Sequence, residues 1–323
     1  MRYVLGVDGG GSQTTAVVAD ELGFPLGWGK AGGANHQSVG IDQAIDQVWR
    51  AASDALRVAQ LTPEAIALAH YGLAGADRPH DFAILKPALQ TLPFAVWDVT
   101  ADAWIGLRAG TSDYVGVSLV CGSGTNAVGR DPAGHEVQIG GFGYAFGDTA
   151  GGHHLAVETF RAAVRAYQRR GPETLLTHWV PMHLGMSDME AVYNTWLDTG
   201  RAIPLSLALV AHQAADAGDA VARRLLREMG EELGRAANAV LAHLDVWAGP
   251  IEVVLVGSIV QKGKHLEVLG GCELTIRQQY PQAVLRPLAE QPVYGAVLMA
   301  LDAIKARPDP RAAQHYQIQE VRQ

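Results

Sequence analysis

Residues 3–23 read YVLGVDGGGSQTTAVVADELG. Apolar runs at Tyr3–Val7 and Thr14–Ala19 predict two strands, and the glycine run Gly9–Gly11 predicts the turn between them. After a second turn, a third strand is expected at Pro25–Lys30. The stretch therefore predicts a β-meander with a glycine turn between its first two strands.

A second meander of the same plan is predicted within residues 114–141. Its glycine turn is Gly122–Gly124, and its strands are expected at Val115–Val120, Thr125–Gly129 and Glu136–Ile139. One shared hairpin could arise by chance, but here the match extends over three strands and two turns. The repeat therefore favours an internal duplication.

Helical sequence follows each meander. Apolar residues at three- and four-residue steps predict an amphipathic helix at Ile41–Gln60, a second at residues 152–170 and a longer helical region at 186–245. Short apolar runs predict further strands at Ile66–Leu73, Phe94–Val99 and Ile251–Val256. The alternation of strands and helices predicts an α/β fold.

The composition is that of a packed protein. Of 323 residues, 48% are hydrophobic and 18% charged, and the net charge is −8. The absence of any dense Lys/Arg run argues against nucleic acid or an anionic membrane as partner. No segment resembles a signal peptide or a membrane span, so we expect a cytoplasmic protein.

Cys121 and Cys272 form no CxxC pair, and we expect both to pack in the core. The adjacent His153 and His154 have no third ligand spaced for a metal, and we expect them to lie on the surface or to pack at a helix start.

Glycine turns leave backbone N–H groups unobstructed, and such groups can form a concave site for an anion such as phosphate. A single turn of this kind is more simply a tight hairpin. Two copies in facing domains could hold a triphosphate from either side. Asp8 beside the first turn would repel phosphate unless a cation lay between them, so Asp8 predicts Mg²⁺, bound through water.

Two motifs resemble the phosphate motifs of the sugar kinase/actin superfamily: Val7–Thr14 (VDGGGSQT) and Cys121–Asn126 (CGSGTN). Five further motifs occur in the order seen in N-acetylglucosamine kinases and the BadF/BadG/BcrA/BcrD ATPase family, and the resemblance spans residues 3 to 300. These are Asn35-His36, Gly72-Leu-Ala-Gly75, Thr100-Ala-Asp-Ala103, the Gly140–Gly143 run and Gly147-Asp148.

The resemblance implies two actin-like (ribonuclease H-like) domains, each a mixed five-stranded sheet with helices, hinged around a nucleotide cleft. With the repeat, it places the first domain at residues 1–113 and the second at 114–293. Residues 294–323 would contain a C-terminal helix that packs back on the first domain, followed by a tail. The helix is expected within Val293–Ala306. From Arg307 onwards we expect the tail to be loosely ordered or to form an interface.

The resemblance also implies site residues. ATP would be bound by Gly10, Gly11, Ser12, Gln13, Thr14, Gly122, Ser123 and Gly124 at the phosphates, and by Ala215 and Gly257 at the adenosine. The sugar would be bound by Asn35, Asp102, Gly141, Gly143 and Asp148.

Asp102 is the candidate general base, because a carboxylate within reach of the acceptor hydroxyl can take its proton as the phosphoryl group arrives. The competing interpretation of Asp102, and of Asp148, is capping of the helix that follows. For Asn35 it is a bond to its own backbone in a turn. Asp77–Pro79 could reach the mouth of the cleft, but a solvated loop is the simpler interpretation.

The sequence departs from the resemblance at Thr149 and Ala150, where relatives commonly carry Glu-Gly. The change removes a charge beside the presumed acceptor. It leaves the phosphate turns intact, so it affects the identity of the sugar more than the type of reaction.

Three functions remain open. The first is a kinase for an amino sugar, with N-acetylglucosamine leading and glucosamine or N-acetylmuramic acid close behind. The second is an ATP-driven activator of a dehydratase or reductase, for which the paired cysteine ligands of an iron–sulfur cluster look absent. The third is a nucleotide-dependent sugar sensor without catalysis. Relatives are often dimers, so a homodimer is possible.

Overall fold

The computed structural model describes residues 2–244, 249–261 and 265–318. They form two α/β domains, each built on a five-stranded mixed sheet with helices packed against it. This confirms the predicted fold class. Within these ranges, no helix combines the length and apolar character needed to cross a bilayer.

The first sheet has the strand order β3-β2-β1-β4-β5. β1 to β3 form the predicted antiparallel meander, and β1, β4 and β5 run parallel. The strands are β1 (Tyr3–Gly9), β2 (Gln13–Asp20), β3 (Pro25–Gly32), β4 (Ile66–Leu73) and β5 (Trp97–Ala101). The strand predicted at Phe94–Val99 begins later, because Phe94 is buried beside Trp49 in a turn before the sheet.

Helices α1 (His36–Val39), α2 (Ile41–Ala59), α3 (Pro79–Leu89) and α4 (Asp102–Gly110) complete the first domain. α2 lies directly on β3. A side chain at Gly27 or Gly29 would collide with the α2 backbone at Ala55 and Ala51 respectively. Glycines at these positions therefore allow the helix to approach the sheet closely.

The second sheet repeats the first, with strand order β10-β9-β6-β7-β8. β6, β7 and β8 form the second meander, and β6, β9 and β10 run parallel, as β1, β4 and β5 do. The shared order and directions are those that a duplication predicts. The strands are β6 (Gly116–Cys121), β7 (Thr125–Arg130), β8 (Glu136–Ile139), β9 (Ile251–Val256) and β10 (Ala283–Pro287).

Eight helices follow β8 in the described part of the chain: α5 (Gly152–Tyr167), α6 (Leu176–His183), α7 (Met189–Thr199), α8 (Leu207–Asp216), α9 (Ala220–His243), α10 (Ser258–Gln261), α11 (Leu266–Gln279) and α12 (Val293–Ala303). The predicted helical region 186–245 thus contains three separate helices, α7 to α9. Its last residue lies outside the described residues.

α4 and α12 pack against each other at the boundary between the two domains. α4 packs against β6 and β7, where Leu107 joins a small core with Val128. α12 returns from the second domain to pack on β1, β2 and β4. Arg108 and Asp302 join the two helices by an ion pair of 2.7 Å. These contacts fix the position of α4, which begins at Asp102.

The tail folds back onto the first domain as far as Tyr316, and Gln317 and Ile318 pair with residues 289–290. A 3₁₀ helix at Pro310–Tyr316 buries Tyr316, whose hydroxyl donates a 2.9 Å hydrogen bond to the Gly23 carbonyl. The Tyr316 ring also packs beside Trp28 and Tyr294. The expected loose order is therefore wrong for this segment, because one buried aromatic ring anchors it. Residues 319–323 lie outside the described residues.

Candidate active site

The carboxyl ends of β1, β4 and β5 meet at one edge of the first sheet. In the parallel register Asp8 pairs with Gly72, and Gly72 pairs with Thr100. Asp102 follows β5 as the first residue of α4. Asp8, the loop after β4 and Asp102 therefore share one edge, where open α/β sheets bind their ligands.

The two glycine turns face each other across the domain boundary. A β-carbon added to Gly11 would come within 3.0 Å of Ser123 Oγ. Within the described residues, the backbone N–H groups of four turn residues make no hydrogen bond: Gly11, Ser12, Ser123 and Gly124. N–H groups left unpaired in a turn are of the kind that can bind an anion.

The second turn is held from behind by α5. The first N–H groups of that helix bond to the turn, from Gly152 to the Gly122 carbonyl (2.8 Å) and from His153 to the Ser123 carbonyl (2.9 Å). Gly257 lies against the same turn, since a β-carbon there would be 2.5 Å from the Cys121 carbonyl. Ala215 lies in α8, with its side chain buried in the core of the second domain.

The first turn closes with a hydrogen bond of 2.9 Å from the Gly10 N–H to the Gln13 carbonyl. Ser12 and Gln13 are exposed. Thr14 is fully buried, and its hydroxyl donates a 2.7 Å hydrogen bond to the Gly32 carbonyl. The Thr14 side chain, which was predicted to contact phosphate, is therefore used inside the sheet, where it ties β2 to β3.

Asp8 and Asp102 are half-buried carboxyls with perturbed acidity. Burial, and then the charge of Asp102, raise the pKa of Asp8 to about 7. Burial, and then the charge of Asp77, raise the pKa of Asp102 to about 7, against the opposing effect of nearby N–H groups at the start of α4. Desolvated carboxyls that repel one another favour a nearby cation.

The donors at this edge fit Mg²⁺ in the form in which nucleotides carry it. The described residues contain no group of three or more His, Cys, Asp or Glu placed to bind a metal. Mg²⁺ at a phosphate site typically takes one or two carboxylates, with the remaining ligands supplied by phosphate and water. Asp8 is sufficient for such a site.

The capping interpretation is confirmed for Asn35 but wrong for Asp102 and Asp148. Asp102 is not the cap of α4, because Ala101 holds that position, and Asp148 does not cap α5, because Gly151 does. Asn35 does cap α1, and its Oδ1 accepts a 3.0 Å hydrogen bond from the Gln37 N–H. Its Nδ2 remains as a donor for a ligand.

Asp148 organises the glycine-rich loop before it. One carboxylate oxygen accepts hydrogen bonds from the N–H groups of Phe142 (2.7 Å) and Gly143 (2.5 Å). Gly141 and Gly143 have φ of +90° and +94°, in the left-handed region that favours glycine. The predicted sugar residues of this loop are therefore held together by one carboxylate.

The residues before and at the start of α5 include His154 and the two positions, Thr149 and Ala150, where the sequence departs from its relatives. His154 stacks on Tyr144 with the ring centroids 5.6 Å apart, so it packs at the helix start as predicted. Ala150 is buried in the core of the second domain, and Thr149 is half-buried.

Sequence reasoning missed a polar cluster between the domains. Asp77, assigned to a solvated loop, accepts hydrogen bonds on one oxygen from Asn126 Nδ2 (3.0 Å) and Gln138 Nε2 (2.6 Å). Asn126 is buried beside Gly141, and its Oδ1 has no hydrogen-bond partner among the described residues. The solvated-loop interpretation of Asp77 was wrong, because second-domain strands cover it. Asn126, the last residue of the CGSGTN motif, was the sequence feature that could have indicated this cluster.

Both cysteines pack in the core of the second domain, as predicted. Burial raises the pKa of the Cys121 thiol to about 12 and that of Cys272 further still. Buried neutral thiols do not provide the exposed, paired thiolates that a shared iron–sulfur cluster needs.

Comparison with known proteins identifies the family and the class of enzyme that this chain resembles. An N-acetylmuramic acid/N-acetylglucosamine kinase of Clostridium acetobutylicum is 25% identical over 305 residues, covering 93% of this chain and 98% of the relative. An N-acetyl-D-glucosamine kinase of Dictyostelium discoideum is 26% identical over 322 residues, with 93% and 98% covered.

A solved structure of a candidate N-acetylglucosamine kinase from Chromobacterium violaceum superposes with a TM-score of 0.72 at 25% identity, covering 93% of this chain and 99% of that one. These relatives agree with the predicted enzyme class, an ATP-dependent sugar kinase. The model of the BadF/BadG/BcrA/BcrD ATPase family matches residues 5–300. The chain therefore belongs to the BadF/BadG/BcrA/BcrD ATPase family, as its motifs predicted.

Proposed function

We propose that this chain transfers the γ-phosphate of ATP to a hydroxyl of an amino sugar, with N-acetylglucosamine as the leading acceptor and its 6-phosphate as the product. The observation that carries the proposal is the pair of facing glycine turns at Gly11 and Ser123, with Asp102 at the neighbouring strand end. The two similar enzymes that act on N-acetylated amino sugars support the acceptor class.

ATP would lie between the turns. The unpaired N–H groups of Gly11, Ser12, Ser123 and Gly124 would donate to its phosphates, and the hydroxyls of Ser12 and Ser123 could add to them. Gly10 and Gly122 shape the turns. Gly257, which touches the second turn, would lie toward the adenosine. Ala215, whose side chain is buried in the core, would contact the adenosine through its backbone.

Asp102 would act as the general base. Its raised pKa, about 7, lies near the working pH of most enzymes, where a general base is most effective. Its carboxylate would accept the proton of the acceptor hydroxyl. Asp8 would hold Mg²⁺ through water, and that ion would offset the negative charge on the transferring phosphoryl group.

The sugar would lie between Asp102 and the loop that Asp148 holds. Asn35 Nδ2 could donate to a sugar hydroxyl, and the buried, unpaired Oδ1 of Asn126 could accept from another. A carboxylate has about four acceptor positions, so Asp148 can bind a sugar hydroxyl while it holds the loop. Gly141 and Gly143 would bring the backbone close to the ring.

The test measures ADP release from MgATP with N-acetylglucosamine, N-acetylmuramic acid, glucosamine and glucose in parallel. We expect turnover to depend on an amino sugar. If none of the four raises ADP release above the rate without sugar, the proposed kinase activity is wrong. Calorimetric binding of a sugar without phosphorylated product would instead favour the sensor.

A further inference from the structure

The loop that carries Asp77 belongs to the first domain, yet its carboxylate is bonded to the second. Asp77 lies between β4 and α3, whereas Asn126 lies on β7 and Gln138 on β8. Both amides donate to the same oxygen, at 3.0 Å and 2.6 Å respectively. Asp77 is thus a direct polar link between the domains at the cleft.

The loop itself is held rigidly. The Arg78 guanidinium donates to both carboxylate oxygens of Asp81, at 2.9 Å and 2.8 Å. Gln37 Nε2 donates to Asp81 (3.2 Å) and to the Gly75 carbonyl (3.3 Å). This network fixes the loop against the segment that contains Asn35, so Asp77 reaches the second domain from a fixed base.

The bond to Asp77 determines what Asn126 can offer a ligand. A carboxylate accepts hydrogen bonds and an amide NH₂ donates them, so Asn126 must direct Nδ2 toward Asp77. Its Oδ1 then faces away from Asp77, and the amide lies against Gly141 of the glycine-rich loop. Oδ1 is buried and without a partner in the described part of the chain, and a buried acceptor without a partner is costly.

From this geometry we infer that Asp77 is a positioning residue for the acceptor sugar, fixing the Asn126 amide so that its Oδ1 accepts a sugar hydroxyl. The inference rests on the proposed function and deepens it. Because Asp77 and Asn126 lie on different domains, their bond also requires the domain arrangement in which the cleft is formed.

The test is a double-mutant cycle on steady-state kinetics, with Asp77→Ala, Asn126→Ala and the double variant. We expect Asp77→Ala and Asn126→Ala each to raise the KM for the amino sugar by about tenfold to a hundredfold, the usual range for a lost buried hydrogen bond. The double variant should show no further increase, because Asp77 acts through Asn126. The affinity for MgADP should change little, whereas the melting temperature of Asp77→Ala should fall by a few degrees, because the Asn126 and Gln138 amides lose their acceptor.

Two more variants sharpen the test. Asp77→Asn keeps an acceptor oxygen but permits either orientation of Asn126, so its KM should lie between those of the wild type and Asp77→Ala. Asp77→Asn also takes the place of Asp77→Ala in the test if that variant does not fold. Gln138→Ala removes the other donor and leaves the Asp77–Asn126 bond, so its KM should stay within about threefold of the wild-type value.

Additive effects of Asp77→Ala and Asn126→Ala, or an unchanged KM in Asp77→Ala, would overturn the inference while the kinase activity stands. So would a loss of MgADP affinity as large as the rise in the KM for the sugar, which marks a purely structural role. If the wild-type protein neither phosphorylates nor binds any amino sugar, the proposed function fails and the inference fails with it.

Discussion

Gly11 in the first domain lies opposite Ser123 in the second, so close that a β-carbon on Gly11 would be 3.0 Å from Ser123 Oγ. The two residues are far apart in sequence and belong to separate copies of the duplicated meander. Their proximity converts two ordinary glycine turns into one site between two domains. The first prediction concerns this contact.

Gly11→Val should weaken the binding of MgADP by roughly ten- to a hundredfold, about 1.4–2.8 kcal/mol, because the new side chain would fill the space between the turns. Stability should change little, since Gly11 is exposed and its φ is not in the left-handed region. Calorimetry measures the affinity. Gly270→Val, at an exposed position with open space around it, is the matched control and should bind MgADP normally.

Asp102→Asn should lower kcat by about a hundredfold to ten-thousandfold, the range expected for loss of a general base, while MgADP still binds. The amide keeps the shape of the side chain but cannot take the proton. Single-turnover measurement of phosphorylated sugar, beside calorimetry with MgADP, separates chemistry from binding. A variant with normal kcat would show that another group accepts the proton.

Asp148→Ala should release the loop at residues 140–147, because one carboxylate oxygen holds the N–H groups of Phe142 and Gly143. Phe142, Tyr144 and Phe146 are exposed there and are cleavage sites for chymotrypsin. We expect cleavage in this loop to be about tenfold faster than in the wild type, since local opening governs proteolysis. Mass spectrometry of the fragments locates the cut.

The control for that experiment is Asp188→Ala. Asp188 also accepts a backbone hydrogen bond, from the Ala191 N–H, but it caps α7. Cleavage at Phe142 to Phe146 should be unchanged in this variant. Equal cleavage in both variants would indicate general loosening rather than a local role for Asp148.

His70 should make the protein less stable in mild acid. It is buried on β4 beside Thr100, with 3.1 Å between Nε2 and the Thr100 hydroxyl, and burial lowers its pKa from 6.5 to about 4. Between those values the unfolded chain binds the proton and the folded chain does not, so stability is lost as the pH falls. The loss approaches about 3 kcal/mol near pH 4.

His70→Gln should therefore reduce the slope of unfolding free energy against pH over that window. Urea unfolding at pH 7, 6, 5 and 4.5 measures the slope, and only the slope is compared, because the substitution also changes packing. Other buried histidines, such as His36 and His154, have lowered pKa values and should keep part of the slope. An unchanged slope would assign the acid sensitivity to groups other than His70.

The sequence by itself determined both meanders, their glycine turns and the α/β class. These features are local, because strand periodicity and glycine turns depend on residues that are neighbours in the chain. It also carried the family motifs, including Asp8 and Asp102 at strand ends. Where an apolar residue packs outside the sheet, as Phe94 does, the local pattern misplaced the strand.

Only the tertiary structure decided which of these parts meet. The close approach of Gly11 to Ser123, the bond of Asp77 to Asn126 and the burial of Tyr316 beside Gly23 each join residues that lie far apart in the chain. Such contacts depend on how two domains and a returning helix pack together, and no pattern of neighbouring residues encodes that packing. The turns could therefore be predicted from the sequence, and the family resemblance implied a cleft between them, but the contacts that form that cleft could not be predicted.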